Sequence, residues 1–191
     1  MNILQIGCND GNDHVFKFVT ENKTIIDNIY LLDANKKCIS VCKNQYKDIP
    51  NTHFFHYAIT TINEPYVELF IPTENDIAAQ SSLVDYHLQN HSCHNFRTEK
   101  VPAKNINQLF RDLKLKIIDR LYIDVEGLDV DIVNSINFEE FSINFLMFEF
   151  IHSDGTMSRG GPKLNSCKQK LQNLGYSMHE EEFNIIAQKT T

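Results

Sequence analysis

"NILQIGCNDGN" (residues 2–12) decides the fold. Ile3, Leu4 and Ile6 form an apolar run that ends in a turn of Gly, Asn, Asp and Gly. A strand running into a glycine turn opens a doubly wound α/β unit, in which ligands sit at the carboxyl ends of the strands. A dinucleotide loop would space its glycines G-x-G-x-x-G so that bare N–H groups reach a pyrophosphate. Here the spacing is Gly7-x-x-x-Gly11, without the middle glycine, and Asp10 stands inside the loop. A carboxylate there repels a pyrophosphate and attracts an ammonium or a sulfonium.

Strand-like and helical segments alternate outward from this loop. "DHVFKFVTEN" (13–22) places Val15, Phe16, Phe18 and Val19 at helical spacing, and "NIYLLDA" (28–34) is a second strand. "NKKCISVCKNQY" (35–46) puts Cys38, Ile39, Val41, Cys42 and Tyr46 on one helical face. "THFFHYAI" (52–59) reads as a third strand, and "YVELFIP" (66–72) as an added one stopped by Pro72. Residues 73–100 are polar and read as a long loop. "VPAKNINQLFRDLKL" (101–115) passes from an extended entry into a helix. "DRLYIDVEG" (119–127) is a strand ending in acids, followed by a short helix at 128–136. "NFLMFEF" (144–150) is a buried strand, and "SDGTMSRGGPK" (153–163) a Gly-rich loop. A helix at 164–175 ends at Gly175, and "YSMHEE" and "FNIIAQKT" close the chain as adjacent strands. The pattern predicts one α/β domain over 1–191. Its sheet is mostly parallel, with an antiparallel C-terminal strand and helices on both faces.

Composition narrows the function. Lys and Arg total 18 against 25 Asp and Glu, a net charge of −7. That argues against a nucleic-acid partner, which needs a basic surface. No apolar run approaches the ~18 residues of a membrane span. Met1 leads straight into the first strand, so neither a signal peptide nor an N-terminal extension is expected. The five cysteines are odd in number and lack C-x-x-C spacing, which predicts a reducing, cytoplasmic setting.

Asp33 ends the second strand, where an acid can accept hydrogen bonds from a ribose diol. Asp124 and Glu126 end the strand at 119–127. Singly, Asp10 and Asp33 read as helix caps. Together with Asp124 and Glu126, at successive strand ends, they predict a cleft for a cationic ligand. S-adenosylmethionine carries an ammonium and a sulfonium and no phosphate.

"IGCNDGND" (6–13), "VPAKNINQLF" (101–110) and "LYIDVEGLDVDIV" (121–133) resemble the FkbM family of S-adenosylmethionine-dependent methyltransferases. "YVELFIP", "SSL" (81–83) and "FEF" (148–150) fit the same pattern. The resemblance implies a Rossmann-like class I methyltransferase fold with a seven-stranded sheet. It implies transfer to oxygen of a sugar, glycan or other small hydroxylated molecule. By position, Gly7, Asn9, Asp10 and Gly11 would hold the methionine part of the cofactor and Asp33 the ribose. Ala34 follows Asp33 where the family commonly has Glu-Pro, so the carboxylate is kept on a shorter arm. Tyr57 and Ala58 would lie near the adenine, and Asp124 beside the transferred methyl.

Methyl transfer to a hydroxyl needs alignment and a proton acceptor. Asp124, Glu126, Glu149 and His152 are the catalytic candidates. Asp124, Glu126 and Glu149 could instead hold Mg²⁺ or Mn²⁺, but the base or orienting role is preferred and no metal site is expected. His87, His91, Cys93 and His94 match no standard zinc spacing and read as polar loop residues. Arg159 and Lys163, in the Gly-rich loop, are candidates to reach a substrate. A domain this small can also draw on a partner protein to complete its pocket. Two other classes fit the same fold: a nucleotide-dependent oxidoreductase, and a cofactor-binding module without catalysis.

Overall fold

The computed structural model describes residues 1–74, 80–84, 95–153 and 161–190. Seven strands form the main sheet: β1 (Asn2–Ile6), β2 (Asn28–Asp33), β3 (Thr52–His56), β7 (Ile117–Ile123), β8 (Ser142–Glu149), β9 (Tyr176–Glu181) and β10 (Asn184–Lys189). Their order is β3-β2-β1-β7-β8-β10-β9. β1 pairs in parallel with β2 and β7, β2 with β3, and β7 with β8. β10 runs antiparallel to both β8 and β9 and is the one reversed strand described in this sheet. The chain order reverses between β1 and β7, and that crevice is where a doubly wound sheet places its ligand.

Period-2 alternation sends the two sides of each strand to different cores. Leu4, Ile6, Leu121 and Ile123 pack with α3 (Ile106–Asp112), α4 (Asp129–Ser135) and α5 (Pro162–Asn173). Ile3, Leu31 and Tyr122 face the opposite side, against α1 (His14–Glu21) and α2 (Lys36–Gln45). The helices begin where their sequences supply caps. Asp13 accepts from the N–H groups of Val15 and Phe16, and Asn35 from that of Lys37. Neither Asp10 nor Asp33 caps a helix. On α2, Cys38, Ile39, Cys42 and Tyr46 are buried, but Val41 is exposed and lies off their face.

A second, three-stranded sheet has the order β4-β6-β5, built from β4 (Ala58–Thr60), β5 (Tyr66–Pro72) and β6 (Phe96–Asn105). Two sequence expectations are corrected here. The strand expected over 52–59 breaks at Tyr57, and Ala58 and Ile59, continued by Thr60, leave the main sheet for the small one. The loop expected over 73–100 yields residues 96–100 to β6, whose first half is solvent-facing. Arg97 and Glu99 pair with each other there at 2.9 Å, so the segment reads as polar although it is extended. Ser82 exchanges two backbone hydrogen bonds with Phe70 of β5, which ties the "SSL" segment to this sheet. No described helix is long and apolar enough to cross a membrane.

Gly7 sets the packing of the central strands. Its φ is +82°, and a Cβ added there would lie 1.7 Å from the carbonyl oxygen of Asp124. Gly7→Ala should therefore destabilise the protein by ~3 kcal/mol or more, through strain and overpacking together. Thermal denaturation checks this, and a Tm near that of the unchanged protein would contradict it.

Candidate active site

Three strand ends converge at Gly7. The N–H groups of Gly7 and Cys8 both donate to the Leu32 carbonyl, at 2.9 and 3.0 Å, and the N–H of Asp124 donates to Ile6 at 2.9 Å. These bonds bring together the loops after β1, β2 and β7. Asn9 turns the first loop at a φ of +43° and donates its N–H to Asp33 Oδ2 at 2.8 Å. The other oxygen of Asp33 accepts from the N–H of Asn35 at 2.7 Å. Each carboxylate oxygen keeps a second lone pair for a ligand hydroxyl.

A cleft of about 650 Å³ opens over these strand ends. Gly7, Asn9, Asp33 and Ala34 line it from the first two loops, Tyr57 and Ala58 from the break after β3, and Asp124 and Glu126 from the loop after β7. Eight sequence candidates thus share one cavity. Its far wall is apolar, made by Ile59, Leu69 and Leu83. Asp10 faces a second depression of about 740 Å³, which shares Ile6, Gly7, Asn9 and Asp124 with the first. Asp10 also accepts from the N–H of Asn12 at 2.9 Å. Gly11 does not line either depression. It packs against Cys42 and Tyr46 of α2, where a Cβ would lie 2.7 Å from the Cys42 sulfur.

The sequence reading passed over Cys38, Leu69, Ser81 and Leu83 as cleft residues. Helical spacing marks Cys38 as inward-facing but not as cleft-facing. Its thiol donates to the Asn9 side chain at 3.3 Å. Asp129 was also passed over: it is buried and accepts from the N–H groups of Val125 and Gly127, at 2.9 and 3.1 Å. It shapes the loop that presents Asp124 and Glu126. The hydroxyl of Ser82 donates to the Glu126 carbonyl at 2.6 Å and fixes that loop from the other side. Of the two candidates in the Gly-rich loop, Lys163 pairs with Asp131 of α4 at 2.8 Å, and Arg159 lies outside the described residues. His87, His91, Cys93 and His94 lie outside them as well.

The FkbM methyltransferase domain model matches residues 5–178. The chain belongs to the FkbM methyltransferase family. It is accordingly an S-adenosylmethionine-dependent methyltransferase of the class I fold. Among solved structures, it is similar to the FkbM methyltransferase of Methylobacillus flagellatus KT. That likeness has a TM-score of 0.57 at 9% identity and covers 97% of this chain and 43% of that one. It is also similar to a chain of a fibrillarin/Nop5p complex, with a TM-score of 0.52 at 12% identity over 99% of this chain and 72% of that one. Both likenesses concern the fold. No curated protein sequence matches the chain.

Several of the acids at the cleft titrate above their usual range. Burial pushes the Asp33 carboxyl up to about 6, against the pull of its two backbone donors. Asp124 is open to the cleft and reachable by solvent. The protein walls around it, then the charges of Glu126, Asp13 and Asp33, raise its pKa to about 7. Burial, then Asp124, holds Asp129 near 7 despite its two backbone donors. Glu149 ends β8 and is pushed up to about 9, by burial first and then by Asp124, Glu126 and Asp129.

His152 is buried, 3% exposed, beside two of these acids. Its Nε2 lies 3.8 Å from Glu126 Oε2 and 4.0 Å from Glu149 Oε2. Asp124 is not part of this trio, so the carboxylate set considered from sequence, Asp124 with Glu126 and Glu149, is not the grouping the fold makes.

These raised acids fix a pH dependence for the ligand-free protein. Unfolded carboxyls titrate near ~4. Asp33, Asp129 and Glu149 stay protonated in the fold up to about 6, about 7 and about 9. The folded state thus holds more protons above pH ~4, and stability falls as pH rises. Tm should decline steadily from pH 5 to pH 8 without ligand. Scanning calorimetry across that interval checks the sign; a rising Tm would contradict it.

Proposed function

We propose that the protein transfers the methyl group of S-adenosylmethionine to a hydroxyl oxygen of a sugar, glycan or other small hydroxylated acceptor. The placement of Asp124 carries this reading. It lies on the boundary between the two depressions, so one carboxylate faces both a cofactor in the first and an acceptor in the second. The second depression is lined by Gln5, Asp10, Asn12, Asp13, His14 and Asn184, hydrogen-bonding groups suited to a molecule with several hydroxyls. The net charge of −7 disfavours a polyanionic acceptor.

Each residue then has a task. Asp33 accepts from the ribose hydroxyls. Gly7 and Asn9 let the backbone approach the cofactor, and Asp10 faces the acceptor. Tyr57, Ala58 and Leu83 flank the base. When bound, S-adenosylmethionine supplies an electrophilic methyl on a cationic sulfur. Asp124 takes the proton from the acceptor hydroxyl, which its raised pKa allows near neutral pH. Glu126 lines the first depression and groups with Glu149 and His152 at its edge, where they orient the hydroxyl as it meets the methyl. The four described cysteines are free and buried, which supports a reducing setting such as the cytoplasm.

Calorimetry against S-adenosylmethionine, S-adenosylhomocysteine and NAD tests the cofactor assignment. The first two should bind and NAD should not, and NAD binding alone would overturn the reading. Asp33→Ala should weaken S-adenosylhomocysteine binding by ~1.5–3 kcal/mol, the scale of hydrogen bonds to a charged group.

Asp124→Asn keeps the shape of the side chain and removes its charge. Turnover should fall at least ~10²-fold, the lower edge of general-base effects. Cofactor affinity should change by less than ~10-fold, a difference of 1.4 kcal/mol or less. Labelled methyl supplied to a panel of glycans and amines reads both the rate and the acceptor atom. Label on nitrogen alone would falsify the oxygen assignment.

A further inference from the structure

Glu126, Glu149 and His152 come from two different strand ends, yet they offer three metal-binding atoms within 4.8 Å of one another. Glu126 reaches the point from the loop after β7, held at a φ of +59°. Glu149 reaches it from the last residue of β8, and His152 from the turn that follows. The His152 side chain is 4% exposed, and those of Glu126 and Glu149 are 18% and 16% exposed. Oε2 of Glu149 is sealed from solvent and accepts no hydrogen bond among the described residues. A buried carboxylate oxygen with nothing to accept from is costly unless a cation or donor joins it. The charges acting on Glu149 from Asp124, Glu126 and Asp129 are all negative.

We propose that Glu126, Glu149 and His152 form a binding site for a divalent metal ion at the edge of the cofactor cleft. Two carboxylates suit a hard ion such as Mg²⁺ or Mn²⁺, and an imidazole nitrogen shifts the preference toward the transition metal. Three ligands from one side leave open positions on an ion that takes about six. Glu126 lines the cofactor cleft itself, which puts the site at the edge of the reacting space. A hydroxyl of the acceptor on such an ion would be polarised and would lose its proton to Asp124 more readily. That role rests on the methyltransferase reading above. The site itself rests on the geometry of the three side chains.

Mn²⁺ is the probe, because it is visible by electron paramagnetic resonance. The full chain, prepared free of metal, should bind one Mn²⁺ saturably, and its pulsed spectrum should carry the nitrogen modulation of one imidazole. Glu149→Gln, Glu126→Gln and His152→Asn should each weaken Mn²⁺ binding at least ~10-fold, no less than the loss of an outer-shell partner costs. His152→Asn should also remove the nitrogen signal. Each variant is checked by thermal melting and by S-adenosylhomocysteine titration on the same sample, which reads the cofactor site independently. S-adenosylhomocysteine binding without saturable Mn²⁺ binding overturns the metal site and leaves the methyltransferase reading standing. Mn²⁺ binding that lacks the imidazole signal in the unchanged protein, or that survives all three substitutions, also overturns it.

Discussion

The rest of the structure depends on the contact between Gly7 and the Asp124 carbonyl. It allows β1 to end directly against the end of β7, while Leu32 of β2 accepts two N–H groups from the same turn. Three loops are thereby held within reach of one another without any intervening side chain. The main sheet supplies this rigidity through parallel pairing on both sides of β1 and through cores on both of its faces. The loops themselves are secured by polar contacts. Asp33 fastens the first loop to the second, while Asp129 and Ser82 fasten the loop after β7 from two sides.

This convergence has an electrostatic cost. Asp33, Asp124, Asp129 and Glu149 all titrate above their usual range: burial is the largest cause for Asp33, Asp129 and Glu149, while Asp124, open to the cleft, is raised by the protein walls around it and by like charges. Asp33 and Asp129 are partly relieved by backbone donors, so their charge serves the shape of the loops as well as any ligand. The charges acting on Asp124, from Glu126, Asp13 and Asp33, are all negative. A site built this way is destabilising to the folded chain and favourable to a cation, the usual trade between stability and function.

Much of this was legible in the sequence because the signals were local. The Gly7–Gly11 turn, the acid at the end of "NIYLLD" and the "IDVEG" element each announce themselves within a few residues. Alternation between strands and helices is equally short-ranged. What was not legible depended on distant contacts. The strand-like run of 52–59 continues through Tyr57 with no Gly, Pro or turn residue, so nothing local shows the chain changing sheets there. Residues 96–100 carry Arg97, Glu99 and Lys100, with Phe96, Thr98 and Lys100 exposed, and so polar a stretch reads as loop. Val41 matches its neighbours in hydrophobicity and differs only in facing outward. Cys38 reaches the cleft through the orientation of α2, which helical spacing does not encode.

The grouping at the end of β8 shows the same limit from the chemical side. Glu149 and His152 are three residues apart, and both were visible as candidates. Their partner could not be chosen from sequence, because Asp124 and Glu126 lie two residues apart and either would serve by composition. The choice is made by the backbone. With the loop after β7 pinned by Asp129, Glu126 takes a left-handed conformation and comes within 3.8 Å of His152, while Asp124 opens toward the cleft. Two acids in one short motif are thus separated into two environments. One lines both depressions at the strand ends, and the other is drawn into a buried nitrogen–oxygen cluster. Such a division is how a single stretch of acidic sequence can provide a proton acceptor and a separate orienting group at the same cleft.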